Sequence, residues 1–152
     1  MLEIKAPNKL EIVGTSIFLA GSIEMGTAED WQSQLVKKLG DQNVTFLNPR
    51  RDKWDSTWKQ EIENPFFVEQ VEWELSALEK ADIIFMYFDP NTKSPISLLE
   101  LGLFAKSSKL IVCCQPGFWR RGNVDVVCKR YGVVQVDTLE QGSELILNMI
   151  GK

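Results

Sequence analysis

A glutamate at position 100 sits inside Pro95-Ile96-Ser97-Leu98-Leu99-Glu100-Leu101-Gly102-Leu103-Phe104-Ala105, a segment that is apolar almost all the way round if it is helical. On such a helix Glu100 shares the side of Ile96, Leu103 and Phe104, at spacings of three and four residues. A carboxylate there is costly unless it is hydrogen-bonded or used. A capping box from Ser97 to Glu100 is one bland use for it. Ser94 is the better N-cap, because Pro95 then falls at the first helical position, where proline is favoured. Glu100 is left one turn in, without a capping duty, as a candidate catalytic group.

Glu74 has a similar address. It follows Val71 by three residues and precedes Leu78 by four, at the border of an apolar stripe, with Gln70 one turn earlier. Glu69, Glu72 and Glu79 are alternatives on the same segment, and an ordinary surface glutamate also fits. If both helices flank one strand, Glu74 and Glu100 come near each other. Two carboxylates in different environments can divide into a raised-pKa acid and an ionised nucleophile. That division suits cleavage of a glycosidic bond, with a separation of about 5 Å favouring retention through a covalent intermediate.

Composition narrows the other options. The 152 residues include no histidine, which removes His-based triads, proton shuttles and histidine zinc motifs. A net charge of −4 argues against a protein that tracks a polynucleotide backbone, while leaving room for a local arginine cluster and a small anionic ligand. The three cysteines, with Cys113 and Cys114 adjacent, read as buried thiols in a reducing cytoplasm. They form no CxxC motif, which disfavours a redox role. The sequence shows neither a signal peptide nor a long apolar membrane span, and no pattern calls for a metal or cofactor. The length predicts one domain over residues 1–152.

The elements that must position these groups alternate along the chain. Strands are expected at 16–20, 44–47, 83–88, 110–113 and 133–136, and helices near 28–39, 65–80, 95–107, 124–130 and 142–150. The pattern predicts a three-layer α/β/α fold with a five-stranded parallel sheet, flavodoxin-like in its order 2-1-3-4-5. Residues 1–15 read as an N-terminal arm or an edge hairpin.

In such sheets ligands bind beyond the carboxyl ends of the strands. The first four predicted strands lead into Gly21-Ser22-Ile23-Glu24-Met25-Gly26, Asn48-Pro49-Arg50-Arg51 with Trp54 and Trp58 beyond, Asp89-Pro90-Asn91-Thr92, and Gln115 to Asn123 with Trp119, Arg120 and Arg121. One edge therefore collects small residues, tryptophans, arginines and amides, a set that suits a planar ring carrying a sugar or phosphate. Each piece also has a plain reading. Gly21 and Gly26 serve as turn glycines, Arg50 and Arg51 as a solvated pair, and the tryptophans as core or interface anchors.

At these residues the sequence resembles the nucleoside 2-deoxyribosyltransferase family, in its short bacterial and phage-type branch. The likeness runs from Phe18-Leu19-Ala20-Gly21-Ser22 to Gly122-Asn123-Val124. Ser97-Leu98-Leu99-Glu100-Leu101-Gly102 is similar to the family's Glu-Leu-Gly stretch that supplies the nucleophile. Glu74-Leu75-x-x-Leu78-x-x-Ala81-Asp82 resembles the stretch whose carboxylate acts on the leaving base, although the family usually has aspartate at the position of Glu74. An aspartate found in several members six residues before the nucleophile is Ser94 here, which leaves Asp89 to take its role. A tyrosine on the first strand of some members is matched only by Ile17 or Phe18. The resemblance implies an enzyme acting on deoxynucleosides or their monophosphates through Glu100, Glu74 and Asp89. The ligand contacts would come from Gly21, Ser22, Ile23, Glu24, Asn48, Arg50, Arg51, Trp54, Gln70, Ser97, Trp119 and Asn123. It also implies a homo-oligomer, since the loop of Asn123 can reach a neighbouring subunit's site. The rival reading is a non-catalytic nucleotide-binding or signalling domain with the same fold.

Overall fold

The apolar runs become the strands of a single parallel sheet in the computed structural model, which describes residues 1–22 and 30–151. Its elements are β1 (Leu2–Lys5), β2 (Thr15–Gly21), α1 (Trp31–Lys38), β3 (Val44–Asn48), α2 (Pro65–Lys80), β4 (Ile83–Phe88), α3 (Pro95–Phe104), β5 (Leu110–Cys114), α4 (Arg121–Tyr131), β6 (Val134–Val136) and α5 (Leu139–Ile150). The strand order is β1-β3-β2-β4-β5-β6. From β2 onward this is the expected 2-1-3-4-5 order.

The sheet has a sixth strand that the sequence reading did not resolve. The N-terminal segment is neither an arm nor a hairpin. Residues 2–5 pair parallel to β3, with Leu2 opposite Thr45 and Lys5 opposite Asn48. Asn48 fastens this edge, its Nδ2 donating to Glu3 Oε1 at 3.0 Å.

Alternation along the strands builds two cores. Phe18 and Ala20 of β2, with Ile84, Met86 and Phe88 of β4, face Trp73 and Leu78 of α2, Leu101 of α3 and Val124 of α4. Ile17 and Leu19, with Phe85 and Tyr87, face Trp31, Leu35 and Leu39 of α1 and Ile146 of α5. The layers are thus α2, α3 and α4 on one side and α1 and α5 on the other, so the helices bearing Glu74 and Glu100 share a layer.

Local chemistry sets the helix ends. Asn64 Oδ1 accepts from the amides of Phe66 and Phe67 at 3.0 and 3.4 Å, with Pro65 in the first turn, and α2 starts where expected. Asp30 caps α1, whose described span starts at Trp31 instead of near residue 28. Thr138 caps α5 and starts it at Leu139, three residues earlier than expected. α4 also starts earlier, at Arg121, which puts Asn123 in its first turn and not in a loop. α3 stops at Phe104, short of residue 107.

Candidate active site

Register brings the candidate loops to one edge. Gly21 pairs with Tyr87, and Phe88 with Cys114, so β2, β4 and β5 end almost level. Ser22, Asp89 and Gln115 leave the sheet together, while α3 starts beside them at Pro95.

Glu100 is 7% exposed on α3, and none of the described residues gives its carboxyl a hydrogen bond. Burial pushes its pKa up to about 8, and the nearby Glu74 carboxylate raises it further within that shift. Glu74, half-buried on α2, is pushed up to about 7 by burial, partly offset by a hydrogen bond from Gln70. Glu100 therefore senses the charge of Glu74 across the α2–α3 layer. Gln70 Nε2 spans the Pro49 carbonyl at 2.8 Å and Glu74 Oε1 at 3.3 Å, so its orientation is fixed by an acceptor that only an N–H can face.

The loop ahead of α3 is held by a ring of hydroxyls. Ser22 Oγ lies 2.8 Å from Thr92 Oγ1 and 2.6 Å from Ser94 Oγ, and those two are 2.8 Å apart. The Asp89 amide donates to Ser22 Oγ at 2.9 Å, and Thr92 Oγ1 donates to the Asp89 carbonyl at 3.0 Å. Ser94 occupies the N-cap position but does not cap with its side chain. It adopts the left-handed conformation at φ 49° and turns its hydroxyl into this ring. The cap expectation is corrected on that point, while Glu100 stays free of capping duty. Asp89, buried, accepts from the Asn91 amide at 2.8 Å and shapes the same turn.

A family model described as nucleoside 2-deoxyribosyltransferase like matches residues 14–118, which run from β2 into the loop after β5 and include both glutamates. The chain belongs to this nucleoside 2-deoxyribosyltransferase-like family. No curated protein sequence matches it significantly. The expected family likeness is thereby shown, and the family suggests a glycosyltransferase-like enzyme. Two of the residues that the likeness points to, Ile23 and Glu24, lie outside the described residues, as does Gly26.

The remaining site candidates of this deoxyribosyltransferase-like chain fall into three groups. Asn48 is buried and busy: besides its bond to Glu3, its Oδ1 accepts from the Arg50 amide at 3.0 Å and turns the chain out of β3. Arg50 then reaches across the sheet edge to Gln32 on α1, with Nη2 3.2 Å from Gln32 Oε1. Arg51 goes the other way. Its Nη2 meets Glu69 Oε1 at 2.6 Å and its guanidinium lies 5.2 Å from the Trp58 ring centre. Trp58 stacks on Phe66 at 4.7 Å and takes the edge of Trp54 at 4.9 Å. Arg51 and Trp54 thus brace the long β3–α2 connection.

On the far flank, Trp119 is exposed, donates to the Lys93 carbonyl at 2.8 Å, and carries Lys93 and Arg120 within 4.4 Å of its ring centre. Asn123 lines a cleft of about 490 Å³ between α3 and α4, with Leu98, Leu101, Gly102, Arg120 and Val127 among its walls. By helical geometry this cleft lies on the side of α3 away from Ser97 and Glu100. Ser97 is buried one turn before Glu100.

The sequence reading missed two groups. Thr92 completes the hydroxyl ring. Gln32 is fully buried, and a signal for it existed: Gln32, Leu35, Val36 and Leu39 form a helical stripe with an amide at one apolar position. Among the described residues no three His, Cys, Asp or Glu side chains group as metal ligands, and no helix is long and apolar enough to cross a membrane.

Proposed function

We propose that the protein cleaves the N-glycosidic bond of a 2′-deoxynucleoside or its 5′-monophosphate and transfers the deoxyribosyl group to a second base or to water. The observation that carries this reading is the pair of half-buried Glu74 and buried Glu100 at the loop edge of the sheet, where the charge of one raises the pKa of the other. Glu100 Oε attacks C1′, the C1′–N bond breaks, and Glu74 gives its proton to the departing base. The acceptor then attacks C1′ of the glycosyl-glutamate, Glu74 takes back a proton, and the Glu100 carboxylate is released. Asp89, from the hydroxyl-locked loop, lies beside the sugar in this reading. Gly21 and Ser22 form its floor, and Gln70 and Ser97 sit near the pair. Incubation with deoxynucleosides and their monophosphates, followed by measurement of free base and of the mass of a trapped adduct on Glu100, tests it. Saturable nucleotide binding with no base release would replace it with the non-catalytic binding domain.

The pH dependence follows from the pair. Below about pH 7 both carboxyls hold protons and Glu100 cannot attack; above about pH 8 both are ionised and Glu74 cannot donate. Between these limits one proton is shared. In the productive form that proton sits on Glu74 and Glu100 is ionised. The kcat/KM profile should be a bell peaking between the two values, and a profile falling steadily from pH 5 would exclude this pair.

The same reading takes the protein as a cytoplasmic homo-oligomer of single-domain chains. Its support is α3, whose outward side chains Ile96, Leu99 and Leu103 are each 57–60% exposed with no charge among them. That apolar ridge gives two copies related by a twofold axis a face on which α3 can pack against α3. Leu99→Glu should reduce the sedimenting mass to that of one chain. A wild type that already sediments as a monomer would remove this part of the reading.

A further inference from the structure

Arg50 stands apart from the other arginines of the site edge in being half-buried with no carboxylate partner among the described residues. Arg51 is paired with Glu69, and Arg121 with Asp125 and Asp137, while Arg120, likewise without a carboxylate among those residues, lies exposed over Trp119. The Arg50 side chain is half-buried, and its Nε is enclosed without an acceptor among the described residues. Gln32, 0% exposed, holds Nη2 through Oε1, and its own Nε2 is a second enclosed donor without an acceptor among those residues. A buried guanidinium without a counter-charge is costly, as is a buried N–H without an acceptor. At Arg50 and Gln32 both costs meet, as unmet donors and a missing negative charge, and Arg51 Nη1 nearby in sequence is a further enclosed donor without an acceptor among the described residues. A polar neutral group would satisfy the hydrogen bonds alone, whereas an anion answers both.

Placement agrees with this. Arg50 follows Pro49, whose carbonyl holds Gln70 and through it Glu74, so the backbone that carries the cation is tied to one member of the carboxylate pair. It then crosses to the α1 layer, away from the layer of Glu74 and Glu100. A ligand whose sugar lies between the glutamates and whose anionic end crosses the sheet edge would reach it.

We infer that Arg50, oriented by Gln32, forms a phosphate subsite that makes a deoxynucleoside 5′-monophosphate, and not the free nucleoside, the substrate. The inference rests on the proposed glycosidic cleavage and names its substrate class. Arg50 supplies the charge and donors, and Gln32 is a positioning residue that turns the guanidinium fork.

The test compares kcat/KM for base release from a series of deoxynucleoside 5′-monophosphates and the matching nucleosides, for wild type, Arg50→Met and Arg50→Lys. Calorimetry on the Glu100→Gln variant, with and without Arg50→Met, measures binding of monophosphate, nucleoside and inorganic phosphate. The expected result is at least a tenfold preference for the monophosphates, collapsing towards one in Arg50→Met and falling in part in Arg50→Lys, which keeps the charge but loses the fork. Being a ratio within each variant, it does not depend on the folded fraction. Equal use of both substrates, or a preference unmoved by either variant, overturns the subsite and leaves the cleavage reading standing. If neither substrate releases base, the cleavage reading fails. Monophosphate binding that depends on Arg50 then still supports the subsite, and binding indifferent to Arg50 overturns it. Inorganic phosphate bound as tightly as the monophosphate, beside equal turnover of both substrates, assigns the site to a free anion and also overturns the inference.

Discussion

Glu100→Gln should lower base release by at least about 10³-fold, since removal of a covalent nucleophile typically costs that much or more. The same substitution should make the protein more stable at alkaline pH. Glu100 is nearly enclosed, receives no hydrogen bond from the described residues and has its pKa raised by burial from 4.5 to about 8. The folded state therefore favours its neutral form. That advantage is fully present below the unfolded value of 4.5 and is lost as pH rises through about 8, where the fold must hold a buried charge. Glutamine keeps the shape and never ionises. Melting temperatures measured at about pH 5 should match wild type, whereas at about pH 9 the variant should gain roughly 2–4 kcal/mol, or about 5–10 °C in a domain of this size. Retained activity would end the nucleophile assignment. A stability change of the same size at both pH values would show that the carboxyl is not buried as a charge.

Gly21→Ala should be among the most damaging small substitutions in the chain. Gly21 ends β2 at φ +125°, a conformation that side-chain-bearing residues rarely adopt, and it pairs with Tyr87 on β4. An added Cβ would overlap the Tyr87 carbonyl oxygen and lie 2.6 Å from its nitrogen. Both are backbone atoms of a central strand buried on each face, which cannot step aside. The same carbonyl accepts from Ser22 N at 2.9 Å and Ser22 Oγ at 3.3 Å, so a shift there would also loosen the hydroxyl ring ahead of α3. Strain and overpacking together predict a loss of about 3 kcal/mol or more. Gly122→Ala is the control, because an added methyl there meets nothing within 4 Å. Chemical denaturation of both variants decides the matter: equal stabilities would mean that β2 and β4 are not packed this closely at their ends.

Much of the fold was readable before the structure. α2 and β4 fall at the expected boundaries, because Asn64-Pro65 and Asp89-Pro90 punctuate the chain through local backbone chemistry. β1 escaped because residues 2–5 are short and mostly exposed, and only the pairing of Leu2 with Thr45, far along the chain, makes them a strand. Ser94 shows the same limit at one residue. Its place before Pro95 predicted an N-cap, but Ser22 and Thr92, distant in sequence or turned by the loop, offer its hydroxyl better partners. Trp54 and Arg51 kept two readings until the edge contact with Trp58 and the pair with Glu69 gave each a neighbour.

The sequence by itself determined that this is a parallel α/β protein whose loops meet at one edge, and that Glu100 and Glu74 are carboxylates out of place on apolar faces. Those properties are local: they depend on periodicity, breakers and residue type within one helical turn or one strand. Only the tertiary structure decided which groups face one another. It set Glu74 near Glu100 so that the charge of one raises the pKa of the other, closed three hydroxyls into a ring, and carried Arg50 across the edge to a buried neutral amide. Desolvation, charge coupling and unmet donors are properties of pairs and enclosures, and a chain acquires them only when segments far apart in sequence pack together.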